Sequence, residues 1–93
     1  MSEFDNRAQD WDKNQTHVKR SEAIAAALLN RLPITDKMTA LEYGAGTGLL
    51  SFILKDRLAE ITLMDNSQEM IKVTQSKIAE SGDTKMKALW IDL

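Results

Sequence analysis

The sequence predicts an α/β fold: one parallel β-α-β-α-β unit behind a leading helix. Three observations carry this expectation. Helix-like and strand-like runs alternate along the chain, and their connections are short enough for two right-handed crossovers. Three of the four glycines, Gly44, Gly46 and Gly48, fall within five residues, directly after the first strand-like run.

The leading helix is expected over Thr16 to Leu32, where Ile24, Ala27, Leu28 and Leu32 recur at steps of three and four on one face. Pro33, the only proline, stops it, because proline biases the preceding residue away from helix. Thr39-Ala40-Leu41-Glu42-Tyr43 reads as a strand running into a tight turn. Leu49 to Leu58 is apolar around much of its circumference, as a helix packed between a sheet and its neighbours would be. Ile61-Thr62-Leu63-Met64 is a second β-prone run, ending in Asp65. Ser67 to Ser81 sets Met70, Thr74 and Ile78 on one stripe and Glu69, Lys72, Lys77 and Glu80 elsewhere, with Gly82 as its C-terminal stop. Met86 to Ile91 reads as the third strand, followed by Asp92. The helices are expected to cover both faces of the sheet.

Composition bounds the function. Ninety-three residues hold a single core. A hydrophobic fraction of 43% with 28% charged residues excludes a disordered or low-complexity chain. Twelve basic against fourteen acidic residues give a net charge of -2, so no overall positive field draws nucleic acid or an anionic membrane, and neither is expected as a partner. The absence of cysteine removes disulfides, thiolate nucleophiles and Cys-based zinc sites, and a single histidine, His17, removes a His-rich metal site. No metal is expected. The longest apolar run, Ala23 to Leu29, falls far short of the roughly 20 residues that span a bilayer. The N-terminus lacks the basic start and apolar stretch of a secretory signal, so a cytoplasmic location is expected.

Parallel sheets of this kind hold ligands at the carboxyl ends of their strands, where the glycine cluster, Asp65 and Asp92 all lie; one crevice should gather them. A strand that turns sharply into a helix beneath a ligand needs positive φ and close backbone amides, which glycine permits. A P-loop would require a Gly-Lys pair followed by Ser or Thr, and none is present. A dinucleotide fingerprint would require a glycine where Leu49 stands, and Gly48 comes one residue early. Glu42 precedes the first glycine by two residues, and two like charges about 4 to 5 Å apart at an effective dielectric near 20 repel by roughly 3 to 4 kcal/mol. That carboxylate disfavours an anionic ligand and attracts one carrying an ammonium or sulfonium group.

Glu42-Tyr43-Gly44-Ala45-Gly46-Thr47-Gly48 resembles the Glu/Asp-x-Gly-x-Gly-x-Gly signature of class I S-adenosylmethionine-dependent methyltransferases. Met64-Asp65-Asn66-Ser67-Gln68-Glu69-Met70-Ile71 is similar to their second motif, with Asp65 17 residues after Gly48, and Trp90-Ile91-Asp92-Leu93 to the third. Phe4-Asp5, Ala8 and Trp11-Asp12 resemble the leading segment of the small-molecule, ubiquinone/menaquinone-methyltransferase-like branch. The resemblance implies a Rossmann-like three-layer sandwich of strand order 3-2-1-4-5-7-6, of which this chain would hold the first β-α-β-α-β half and its preceding helix. Residues 1–35 would form the leading segment and helix, and 36–93 the cofactor-binding unit.

The same resemblance implies S-adenosyl-L-methionine as cofactor, held by Glu42, Gly44, Gly46, Gly48, Asp65, Asn66 and Asp92. A vicinal ribose diol offers two donors that one carboxylate accepts together, which suits Asp65; an Asp ahead of Ser-x-x-Met is also a helix cap. Asn66 would run along the adenine and Asp92 would accept its amino group, unless Asp92 is a solvated acid. His17 and Trp11 fall in a segment that often covers the cofactor, and Arg20 would meet the cofactor carboxylate. The activity expected is methyl transfer from the sulfonium to an unidentified small-molecule acceptor, with catalytic residues unassigned and the piece alone inactive. The alternative is a catalytically silent binding or assembly module. Because the resemblance spans less than half of a typical domain, the chain is expected to be the N-terminal part of a longer enzyme, with its first strand left as an edge open to self-association.

Overall fold

The computed structural model describes residues 10–92; the leading motif at Phe4, Asp5 and Ala8 lies outside them. Helix α1 spans Gln15–Arg31. Asn14 caps it by accepting the Thr16 amide at 2.9 Å, and it ends where Leu32 turns extended ahead of Pro33. The buried stripe of α1 is not the expected one. Ala25 is 2% exposed and Leu28 and Leu29 pack beside it, whereas Ile24 and Leu32 stand 42% and 51% exposed. Both sets have helical spacing, and the one containing the small Ala25 faces α2, where close approach is possible.

Strands β1 (Thr39–Tyr43), β2 (Glu60–Asp65) and β3 (Met86–Trp90) form a parallel sheet in the order β1-β2-β3. Helix α2 (Leu49–Leu54) and a 3-10 turn (Lys55–Arg57) join β1 to β2, so the helix expected to reach Leu58 ends four residues early. Helix α3 (Gln68–Ser81) joins β2 to β3. Ser67 caps α3 by accepting the Met70 amide, and Gly82 stops it in the left-handed conformation at φ 67°. Its buried positions are Ile71 and Thr74 rather than Met70. This helix followed by β-α-β-α-β is the Rossmann-like half-fold that the sequence predicts.

Pairing aligns Ala40, Ile61 and Met86 across the sheet, and Glu42, Leu63 and Ala88 two residues on. These side chains share one face. Leu63 is fully buried, and Gly48, Phe52 and Thr74 meet around it, so α2 and α3 lie on that same face. The opposite face carries Leu41, Tyr43 and Leu89 at 64%, 51% and 43% exposure, without helical cover among the described residues. The expectation that helices cover both faces therefore fails for a simple reason. Two right-handed crossovers that step in the same direction across a sheet leave both their helices on one side.

Candidate cofactor site

The first strand ends in a turn with Gly44, Gly46 and Gly48 at φ 73°, 60° and 82°, all in the left-handed region that L side chains avoid. A Cβ on Gly48 would lie 2.8 Å from the Leu63 methyl, so this glycine also serves the packing of α2 on β2. Nothing lies within 4 Å of where a Cβ on Gly44 or Gly46 would stand. Backbone at these two positions is open to a ligand, as a cofactor cradle requires.

Hydrogen bonds bring the second predicted motif onto this turn. Ala45 donates its amide to the Met64 carbonyl at 3.0 Å, and Gly46 donates to Asp65 Oδ2 at 2.8 Å. Asp65 Oδ1 accepts the Ser67 amide at 2.8 Å, so the acid both holds the glycine turn and supports the start of α3. Of the two sequence readings of Asp65, the cap position itself is taken by Ser67, which Asp65 supports through the Ser67 amide. Each of its oxygens has a further lone pair for a diol. Asn66 is exposed, and its backbone carbonyl accepts the Trp90 indole N–H at 2.9 Å. Ile91 continues the ladder by donating to the Asp65 carbonyl, which leaves Asp92 exposed just beyond β3.

Glu42 sits half-buried at the end of β1 and accepts the Ser51 hydroxyl at 2.6 Å. Burial pushes its carboxyl above the ordinary value, the Ser51 hydrogen bonds oppose the rise, and nearby Asp65 adds to it.

Several side chains at the turn escaped the sequence reading. Thr74 donates its hydroxyl to the Gly46 carbonyl at 2.8 Å, and Lys77, expected among the solvated charges of its helix, donates to the Thr47 carbonyl at 2.7 Å. Lys77 also pairs with Asp12 at 2.6 Å, and the Thr47 hydroxyl donates to the same carboxylate. Trp11 stacks on His17 with ring centroids 3.6 Å apart, while Arg20 is exposed on α1. A threonine inside a helix is a weak local signal for a hydroxyl with work elsewhere; nothing in the spacing of Asp12 and Lys77 signals their pairing. No described helix is long and apolar enough to cross a membrane.

The family model for ribosomal RNA adenine dimethylase matches residues 12–92. An rRNA adenine N-6-methyltransferase of Bacillus licheniformis is 24% identical over 81 residues, which is 87% of this chain and 28% of that protein. The chain therefore spans under a third of the curated relatives it matches. Among solved structures, a Methanococcus maripaludis protein named as an S-adenosyl-L-methionine-dependent methyltransferase superposes with a TM-score of 0.78 at 23% identity, over 99% of this chain and 44% of that one. The magnesium protoporphyrin IX methyltransferase of Synechocystis, with S-adenosylhomocysteine bound, gives 0.66 at 22% identity, over 82% of this chain and 35% of that one.

These relatives overturn the expectation that excluded nucleic acid as a partner and favoured a small-molecule acceptor. A net charge of -2 averages over a piece of a longer relative's length, whereas the field that meets a phosphate backbone is local to one surface. With the family model covering residues 12–92 and the glycine turn and Asp65 joined in the way just described, the chain belongs to the ribosomal RNA adenine dimethylase family.

Proposed function

We propose that this chain is the cofactor-binding part of an S-adenosylmethionine-dependent methyltransferase whose acceptor is an adenine amino group in RNA. The observation that carries the cofactor reading is the glycine turn, open at Gly44 and Gly46 and tied to Asp65 by the 2.8 Å bond from the Gly46 amide. The RNA reading rests on the family and on curated relatives named for adenine N6 methylation. Bound there, the cofactor supplies a methyl group already activated by its sulfonium.

The chain's own residues bind and orient. The free lone pairs of the Asp65 carboxylate accept the ribose hydroxyls, Asn66 flanks the adenine ring and Asp92 accepts its amino group. Glu42 attracts the ammonium of the amino-acid moiety, and the amides of Gly44 and Thr47, the two in the turn that do not already bond within the described residues, meet the ligand's oxygens. Fixing the donor in line with an incoming nitrogen accounts for much of the acceleration such a reaction needs, and it asks little acid or base of the protein.

The test is transfer of labelled methyl from S-adenosylmethionine to ribosomal RNA by the whole enzyme of which this chain is proposed to be the cofactor-binding part, followed by nucleoside analysis. Label on N6-methylated adenosine is the expected result. Label on another base, or on a small molecule in place of RNA, contradicts the acceptor reading.

A further inference from the structure

We infer that Lys77 is a positioning residue for the cofactor turn, and that its pair with Asp12 couples cofactor binding to docking of the leading segment. The inference rests on the cofactor reading given above. Lys77 stands on α3, and its side chain is 23% exposed. Its ammonium meets Asp12 Oδ2 at 2.6 Å and the Thr47 carbonyl at 2.7 Å, and lies 4.7 Å from the centre of the Phe52 ring. Asp12 is similarly sheltered, and its other oxygen accepts the hydroxyl of Thr47, itself 1% exposed.

Three pieces of chain far apart in sequence meet at this one cation: the leading segment, the glycine turn with the adjoining α2, and α3. Among the described residues, the hydrogen bonds by which residues 10–14 reach beyond α1 are those at the Asp12 carboxylate. Removing Lys77 leaves a sheltered carboxylate without its counter-charge and frees both the segment and the turn.

The arrangement has a direction. Lys77 holds the Thr47 carbonyl and Thr74 holds the Gly46 carbonyl, both toward α3. Carbonyl lone pairs are thereby kept off the side of the turn where Gly44 and Gly46 are open. A turn relaxed from this orientation would present carbonyl oxygens to an oxygen-rich ligand.

Two readouts on one set of variants test this: S-adenosylhomocysteine affinity by calorimetry, and the rate of trypsin cleavage after the exposed Lys13. Lys77→Met keeps the apolar stem and should weaken S-adenosylhomocysteine about tenfold, the range of one sheltered charge-assisted bond, whereas Lys77→Arg should stay within about threefold. Cleavage after Lys13 should be faster in Lys77→Met. S-adenosylhomocysteine should slow it in the wild type and not in the variant. Asp12→Asn combined with Lys77→Met should weaken binding no more than the stronger single change.

Wild-type affinity in a Lys77→Met variant with unaltered circular dichroism overturns the inference, as do additive losses in the double variant. If Lys77→Met does not fold, Asp12→Asn and Lys77→Arg give the same comparison. A wild type that binds no S-adenosylhomocysteine refutes the cofactor reading and with it the coupling. In that case unchanged cleavage after Lys13 in Lys77→Met also refutes the docking role, and faster cleavage supports that role alone.

Discussion

The Gly46 amide donates to the Asp65 carboxylate at 2.8 Å across 19 residues of sequence. Through that bond the turn after β1 and the turn after β2 become one structure before any ligand arrives, and the second carboxylate oxygen extends it to Ser67 at the start of α3. Asp65 is therefore a structural acid and a candidate ligand-binding acid at once, so its substitutions should affect stability and affinity together.

Asp65→Ala removes acceptors for two backbone amides and should lower stability by about 1 to 3 kcal/mol in urea melts. It should also weaken S-adenosylhomocysteine. Asp65→Asn keeps one carbonyl acceptor and should retain more stability than affinity. An alanine variant as stable as the wild type would mean that these bonds exchange for water without cost.

The glycines separate packing from binding. Gly48→Ala combines a left-handed φ with a 2.8 Å approach to the buried Leu63 methyl and should cost about 2 to 4 kcal/mol of stability. Gly82→Ala, with the same sign of φ but open space, should cost only about 1 to 2 kcal/mol. Gly44→Ala and Gly46→Ala also meet no protein atom, so their added methyls should reduce cofactor affinity beyond what the backbone strain takes from stability.

Glu42 predicts a pH dependence. Its carboxyl is raised above the ordinary 4.5 by burial, so between 4.5 and the raised value the folded state binds more protons than the unfolded state. The stability that protonation of Glu42 lends is present below 4.5 and is lost as pH rises through the folded value. Glu42→Gln can keep accepting from Ser51 and should be more stable than the wild type at pH 7, with the gap closing below 4.5. The same change should weaken an ammonium-bearing ligand. Chemical denaturation at several pH values checks the first effect and calorimetry the second.

Trp90→Phe removes the indole donor that holds the Asn66 carbonyl at 2.9 Å. A loss of about 0.5 to 1.5 kcal/mol is expected, with a weaker grip on the adenine end of the ligand. Melts and titrations of this variant beside Asp92→Ala test the proposed adenine contacts of Asn66 and Asp92 separately.

What the sequence makes legible is local. The bounds of β1, the Gly82 stop of α3 and the parallel order all follow from turn residues and periodicity over a few positions, whereas the N-cap of α3 is Ser67 and not the Asp65 that the sequence suggests. The burial phase of α1 does not, because Leu28 has the helical spacing to share a stripe with Ile24 and Leu32 or with Ala25 and Leu29, and only the closeness of α2 chooses the second. The single helix-covered face of the described sheet follows from crossover handedness, a rule about topology with no local signature in the residues. The Asp12–Lys77 pair joins residues from opposite ends of the chain and has no local signature. Net charge misled about nucleic acid because it carries no information about where the charges sit.

A site for S-adenosylmethionine formed by the turn at Gly44–Gly48 and the Asp65 carboxylate makes a ligand-binding prediction. Calorimetric titration of the protein with S-adenosylhomocysteine and, separately, with NAD tests it most directly. A saturable heat with S-adenosylhomocysteine that Asp65→Ala diminishes is expected, and none with NAD. Binding of NAD without binding of S-adenosylhomocysteine would contradict it.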